Sequence, residues 1–192
     1  MIDIYFLKTD LLTSKSEQKK LCSLLGYEIV RQAYSAFTGK DKASAEFAVL
    51  NNGKPLIKGA DNFHFSISHS GNAVAVAVSS SPLGLDIEIL KPANLKIADR
   101  FFTQAENAYI FDSPTDTNRR FFEIWTKKEA VIKQSGMGLA QGLEGFDVTD
   151  TDLGRWLCTL EKDGFILSIC AEKAEDFRII EVENPKINNI QT

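Results

Sequence analysis

A chain of 192 residues is long enough for one domain, or for two small lobes that share a core. Hydrophobic residues make up 44% and charged residues 25%, as in ordinary globular proteins, and the net charge of −4 argues against a general nucleic-acid binder. No apolar run approaches the length of a membrane span, so we expect no membrane association. The three cysteines are scattered without ligand-type spacing, which favours reduced thiols and a cytoplasmic protein.

The first half of the chain shows one long helical pattern among strand patterns. Residues 2–8 predict a strand and not a signal peptide, because no basic segment precedes the short apolar run. A capping box predicts a helix from about residue 14 to about residue 37, with a break near Gly26. Further strands are predicted at 46–50, 63–68, 73–78 and 85–89, the last three as an antiparallel meander. Residues 73–78 are apolar on both faces, which is typical of a central strand under a closely packed helix.

The second half repeats this order loosely. Helices are predicted at 95–100, 103–110 and 117–134, and strands at 145–149, 155–160, 164–171 and 177–183. Asp163 and Gly164 form a hairpin-type turn, and residues 188–192 are expected to fray. Helices followed by antiparallel strands in each half indicate the α+β class.

Two carboxylates lie on one face of the strand predicted at 85–89. Leu85, Ile87 and Ile89 face a core, whereas Asp86 and Glu88 face the other way. A solvated strand face would explain this pattern simply. However, acidic residues are rare in strands, and two like charges on one face repel each other. Mg²⁺ bound between the two carboxylates would remove that repulsion.

A stripe of functional side chains follows the helix predicted at 117–134. Trp125, Glu129 and Lys133 are spaced four residues apart, so they share one face. An exposed ion pair is the simplest interpretation, and it would contribute only about 0.3–0.5 kcal/mol. Glu129 nevertheless lies beside an apolar stripe, where a carboxylate needs a partner or a metal.

Other polar residues are weaker candidates when they are taken one at a time. Ser68 and His69 end a strand where backbone N–H groups and an imidazole could meet an anion. Lys54 follows a glycine in a rigid turn, but alone it fits a solvated lysine, and Arg31 is a single arginine on a helix. Glu106 fits an exposed helix residue. A serine-hydrolase site is disfavoured because no G-x-S-x-G elbow is present.

The order of these segments carries a resemblance that no single segment would. The chain contains in turn Gly-Lys-Pro at 53–55, the segment 65–70, G-x-D-[IV]-E at 84–88, Arg-Phe-Phe at 100–102 with Glu106, and W-x₃-E-x₃-K at 125–133. Together they closely resemble the 4′-phosphopantetheinyl transferase superfamily, in its larger monomeric branch typified by the enzyme that activates surfactin synthetase. The resemblance covers about residues 30 to 140. Ser66 stands where this family usually has asparagine, and the segment before the first helix is shorter than in many members.

The resemblance implies a fold and a reaction. In this family two similar α/β lobes, each an antiparallel sheet with a packed helix, form a pseudo-dimer with the active site between them; here the lobes would be residues 1–90 and 91–192. Members transfer 4′-phosphopantetheine from coenzyme A to a serine of an acyl or peptidyl carrier protein and release adenosine 3′,5′-bisphosphate.

The resemblance also implies a role for each candidate side chain. Asp86, Glu88 and Glu129 would hold Mg²⁺ on the pyrophosphate, and Lys133 would neutralise its oxygens. Glu129, or a water, would accept the serine proton. The groups that would grip the nucleotide end are Arg31, Lys54, Ser68 and His69, with His69 on the 3′-phosphate. Glu106 matches a further acidic site residue.

Two other functions remain open on the residues alone: a metal-dependent nucleotide pyrophosphatase, and a non-catalytic module that binds coenzyme A or a carrier protein. Carrier proteins are commonly acidic, so a transferase with a net charge of −4 needs a local basic docking surface. The candidates for that surface are Arg119, Arg120, Lys127, Lys128, Lys91 and Lys96.

Overall fold

The computed structural model describes residues 1–9, 14–136 and 142–183. Its strands are β1 (Ile2–Lys8), β2 (Phe47–Val49), β3 (Pro55–Ile57), β4 (His64–Ser70), β5 (Ala73–Ser79), β6 (Leu83–Ile89), β7 (Trp156–Lys162), β8 (Phe165–Ala171) and β9 (Phe177–Glu181). Its helices are α1 (Lys15–Thr38), α2 (Lys96–Phe101), α3 (Gln104–Phe111) and α4 (Thr117–Ser135). The mixture of helices and mainly antiparallel strands confirms the α+β class.

The first sheet has the strand order β4-β5-β1-β9, and α1 covers its outer face. Ser14 and Glu17 form the predicted capping box at the start of α1. In β5, Val74, Val76 and Val78 pack under α1, whereas the alanines at 73, 75 and 77 face the second sheet. The central strand under a helix is therefore confirmed, and the small side chains let a second sheet, not the helix, approach closely.

The second sheet has the strand order β6-β8-β7, and α4 covers its outer face. The four layers are thus α1, the first sheet, the second sheet and α4. The predicted meander is wrong in its third strand, because β6 pairs with β8 along its whole length and not with β5. Alternation reveals the apolar face of β6, but not that the fully buried β8, some 80 residues later, supplies its hydrogen bonds.

Each of these two sheets contains strands from both halves of the chain. β6 precedes residue 90 but belongs to the second sheet, and β9 comes from the end of the chain but pairs in parallel with β1 of the first. Within the described ranges no helix is both long enough and apolar enough to cross a bilayer.

Three local predictions need correction or fall outside the described residues. No strand forms at 145–149; a 3-10 turn (Leu143–Gly145) stands at its start, and the following backbone bonds to buried side chains of other elements. Helix α1 is continuous through Gly26, where an added Cβ would lie 2.6 Å from Ile67 Cγ2, so the glycine permits close packing on β4. Residues 188–192 are not described.

Candidate active site

The strand β6 carries two of the predicted carboxylates to its junction with α4. Asp86 is only 6% exposed, so the solvated-face interpretation is wrong for it. Its Oδ1 accepts hydrogen bonds from Ser68 Oγ at 2.7 Å and from Lys133 Nζ at 2.8 Å. Its Oδ2 is buried and has no hydrogen-bond partner among the described residues. A buried carboxylate oxygen without a partner is costly, and it is a ready ligand for a cation.

The close approach of α4 to β6 brings the third carboxylate to this point. Gly84 makes that approach possible: a Cβ there would lie 2.0 Å from Ala130 O and 2.4 Å from Gln134 N. Glu129 and Lys133, one turn apart on the same face of α4, therefore face the outer side of β6. Burial raises the pKa of the Glu129 carboxyl, and the charges of Asp86 and Glu88 raise it further. All three predicted metal carboxylates thus interact electrostatically.

Negative charge is in excess here. Burial also raises the pKa of Glu88, with Asp86 acting in the same direction, although a 2.6 Å hydrogen bond from Ser70 Oγ opposes it. Lys91, 3.9 Å from Glu88 Oε2, lowers the pKa of Glu88, and Lys133 lowers the pKa of both glutamates, so two ammonium groups face three carboxylates. Among the described residues no three His, Cys, Asp or Glu side chains already stand at metal-holding distances. The oxygen-only set and the unpartnered Asp86 Oδ2 nonetheless suit a hard divalent cation.

A cavity of about 350 Å³ is lined in part by Lys133, which pairs with Asp86 of the carboxylate cluster. Its wall combines Tyr27 of α1, the turn at residues 52–55, His69 of β4 and Lys133 of α4. A second depression shares His69 with it and is bordered by Lys19 and Lys20. Burial lowers the pKa of His69, and the nearby charges of Lys133 and Lys19 lower it further. The cavity therefore has a cationic rim suited to phosphate groups.

Lys54 reaches this region but is already bonded. Its Nζ donates to Lys133 O at 2.7 Å, Gln134 O at 3.1 Å and Leu83 O at 3.3 Å, which uses all three N–H groups of the ammonium. Burial lowers the pKa of this amine. Lys54 caps the C-terminal end of α4 and ties it to β6, and its hydrocarbon stem contributes to the cavity wall.

Arg31 and Ser68 make contacts within the protein that differ from the nucleotide contacts implied by the resemblance. Arg31 Nη1 donates to Ala45 O at 2.8 Å and its guanidinium covers the Phe47 ring; Arg31 itself is not among the residues that line the cavity. The Ser68 hydroxyl is buried and donates its proton to Asp86. The structure brings Ser68 to the carboxylates and places Arg31 against Phe47, which packs on Tyr27 of the cavity wall.

Glu106 is not the exposed helix residue that the sequence suggests. Glu106 and Lys128 are both fully buried and form an ion pair at 2.8 Å. Glu106 also accepts backbone N–H bonds from Thr103 and Val148, and Lys128 donates to Leu143 O and Phe146 O. This pair joins α3, α4 and the 143–148 segment. With no exposed surface, Glu106 has no face open to a substrate, and Lys128 cannot belong to a docking surface.

Two further serines of β4 belong to the site, although the sequence does not single them out as functional groups. Ser66 and Ser70 flank Ser68 at alternate positions of β4 and face β6, and Ser70 bonds to Glu88. The available signal was the alternation itself, because it places the three serines on the same face of the strand.

Comparison with known proteins identifies the family of the chain. The family model of the 4′-phosphopantetheinyl transferase superfamily matches residues 82–185. The chain is 36% identical over 178 residues to 4′-phosphopantetheinyl transferase ffp of Bacillus subtilis, a match covering 84% of this chain and 80% of the relative. It is 34% identical over 178 residues to 4′-phosphopantetheinyl transferase Sfp of Bacillus subtilis strain 168, with the same coverage. The match to 4′-phosphopantetheinyl transferase psf-1 of Bacillus pumilus is 31% over 187 residues, covering 88% and 80%.

The family model contains both motifs that meet at the β6–α4 junction, and the relatives cover most of the chain. The chain therefore belongs to the 4′-phosphopantetheinyl transferase superfamily and is an enzyme of that transferase class.

Proposed function

We propose that the protein transfers the 4′-phosphopantetheine group of coenzyme A to a serine hydroxyl of an acyl or peptidyl carrier protein, in a Mg²⁺-dependent reaction that releases adenosine 3′,5′-bisphosphate. One observation carries the proposal: Asp86 and Glu88 of β6 meet Glu129 and Lys133 of α4 beside a cavity with a cationic rim. A pyrophosphate needs this combination, because its transfer depends on positioning and charge neutralisation more than on covalent help from the protein.

Asp86, Glu88 and Glu129 would hold Mg²⁺, which when bound supplies charge neutralisation for the pyrophosphate oxygens. Lys133 donates to Asp86 at 2.8 Å and keeps 29% of its side chain exposed, so its remaining N–H groups can turn to a phosphate oxygen. It would thereby neutralise charge on the pyrophosphate, including the charge that develops on the departing 5′-phosphate of adenosine 3′,5′-bisphosphate.

His69 and Lys19 would contact the 3′-phosphate of coenzyme A, since both border the cationic rim. The apolar cavity wall by Tyr27 would receive the adenosine part. Lys54 would act on nucleotide binding indirectly, because its ammonium holds the end of α4 that carries Lys133.

In the reaction, the serine oxygen of the carrier forms a bond to the phosphorus that bears the pantetheine arm. The bond from that phosphorus to the bridging oxygen breaks, and the electron pair leaves on adenosine 3′,5′-bisphosphate. Glu129 would accept the serine proton directly or through a water; because a carboxylate that holds Mg²⁺ is a weak base, the route through a water is at least as favourable.

The two sheet-and-helix layers would correspond to the two lobes of a pseudo-dimer within a monomer, with the active site between them. The crossing of β6 and β9 between the sheets would link the lobes. Exposed basic residues near the site, such as Lys91 and Lys96, would dock an acidic carrier protein in the cytoplasm.

The direct test incubates the protein with coenzyme A, Mg²⁺ and a panel of carrier proteins and measures the carrier mass. We expect the phosphopantetheine adduct, and a loss of about 100-fold or more in rate for Asp86→Asn or Glu129→Gln without a loss of fold. Hydrolysis of coenzyme A in the absence of any carrier would indicate a pyrophosphatase instead. Tight binding of coenzyme A with no turnover on any carrier would indicate a binding module.

A further inference from the structure

The two sheets meet at their edges through β4 and β6. Each is the terminal strand of its sheet, so each presents one row of backbone N–H and C=O groups without a ladder partner. Buried backbone groups of this kind need other partners. For the N–H groups of β6, side chains of β4 provide these partners.

Three serines of β4 bridge this gap. Ser66 Oγ accepts from Leu85 N at 2.9 Å, Ser68 Oγ from Ile87 N at 3.3 Å and Ser70 Oγ from Ile89 N at 3.1 Å. Serines two residues apart thus meet N–H groups two residues apart, in the same chain direction. We call these three bridges the serine ladder.

Two serines of the serine ladder, Ser68 and Ser70, also bond to carboxylates of the site. Ser68 Oγ donates to Asp86 Oδ1 at 2.7 Å and Ser70 Oγ donates to Glu88 Oε2 at 2.6 Å. Ser66 instead bonds only to the backbone of Leu85, at its carbonyl as well as its N–H. A hydroxyl has one proton. Because the β6 backbone N–H fills an acceptor position of Ser70, the Ser70 proton is directed to the carboxylate.

We propose that Ser70 is a positioning residue that orients Glu88 toward the divalent cation. The inference rests on the proposed function, since it assigns Glu88 to the cation. A carboxylate ligand held by an outer hydrogen bond keeps one orientation, and loss of such partners typically weakens metal binding by about 10–100-fold. Ser70 tests this better than Ser68, because Lys133 donates to the Asp86 oxygen bound by Ser68 at 2.8 Å, whereas the second contact of Glu88 Oε2 is the exposed Lys91, 3.9 Å away.

Ser66 provides the matched control. Ser66→Ala and Ser70→Ala each remove one bridge to the β6 backbone, but only Ser70→Ala removes a bond to a carboxylate. The experiment measures Mn²⁺ binding to the full chain by the electron paramagnetic resonance of the free ion, with thermal unfolding of the cation-free protein alongside.

We expect both variants to lower the unfolding temperature, and only Ser70→Ala to weaken Mn²⁺ binding, by about tenfold. Ser70→Thr, which keeps the hydroxyl, should bind Mn²⁺ like the unsubstituted protein. In a Glu88→Gln background, Ser70→Ala should weaken binding no further.

The role of Ser70 would be overturned if Ser66→Ala and Ser70→Ala bound Mn²⁺ with equal affinity, or if Ser70→Thr bound Mn²⁺ as weakly as Ser70→Ala. Either result would leave the proposed function standing. Absence of Mn²⁺ binding by the unsubstituted protein would overturn both.

Discussion

The two histidines of the chain show how position on one strand decides the chemistry of a residue. His64 begins β4, and His69 lies near its end on the cationic rim. Burial lowers the pKa of both imidazoles. The charges of Lys133 and Lys19 lower the pKa of His69 further, whereas only Lys54 acts in this way on His64. At pH 7 a free His69 is therefore neutral, and a phosphate bound beside it would favour its protonated form.

This difference predicts that binding of coenzyme A takes up a proton. A bound phosphate raises the His69 pKa, so affinity should increase as the pH falls from about 8 toward 6.5. Calorimetry in two buffers of different ionisation enthalpy measures the uptake. His69→Gln should abolish most of it, whereas His64→Gln should not. Equal uptake by the two variants would show that the proton goes elsewhere.

Residue spacing predicted part of the site well. The alternation of Asp86 and Glu88 and the four-residue spacing of Glu129 and Lys133 both follow from regular element geometry, and the structure brings these four side chains together. Glu106 was misjudged because its partner Lys128 and the backbone of Val148 come from other segments, which spacing within one helix does not reveal.

At the scale of elements, the Glu106–Lys128 pair holds α3, α4 and the 143–148 segment together. Both side chains are fully buried, and every donor of the Lys128 ammonium is used. The ion pair therefore fixes the helix that carries Glu129 without contacting the site itself. Such a pair is costly to break from one side, because the remaining charge stays buried.

Lys128→Met should lower the free energy of unfolding by about 3–5 kcal/mol, since Glu106 is left without its counter-charge. Chemical denaturation of Lys128→Met and of the neighbouring Lys127→Met measures the effect. Lys127 is only half-buried, so its substitution should change stability by less than about 0.5 kcal/mol. Adding Glu106→Gln to Lys128→Met should recover part of the loss; a further loss would refute the buried-charge explanation.

Element boundaries were predicted well where a local signal exists. The capping box of α1, the left-handed glycine after α4 and the turn at Asp163 and Gly164 all mark real ends. The prediction of a strand at 145–149 is wrong because the backbone there bonds to the side chains of Lys128 and Glu106. These groups are therefore not paired with a neighbouring strand, although the sequence has strand character.

At the scale of the whole molecule, the site depends on how closely α4 lies against the second sheet. Gly84 sets that separation, because the atoms nearest to its absent Cβ are backbone atoms of Ala130 and Gln134, which cannot rotate away. Sequence patterns predicted both elements but not the pairing of β6 with β8, which creates the surface where α4 packs.

Gly84→Ala should push α4 outward and separate Glu129 from Asp86. We expect a loss of about 1–3 kcal/mol in the free energy of unfolding, together with weaker cation binding. Denaturation and Mn²⁺ titration measure the two effects. Gly145→Ala is the control, because a Cβ there meets no atom within 4 Å. A Gly84→Ala protein with unchanged stability and cation affinity would contradict this packing.

The most direct test of the account is a crystal structure of the protein with coenzyme A and Mg²⁺. We predict one cation with oxygen ligands at about 2.0–2.1 Å from Asp86, Glu88 and Glu129, and the diphosphate against Lys133. Coenzyme A bound elsewhere on the chain, or a cation that contacts none of these three carboxylates, would contradict it.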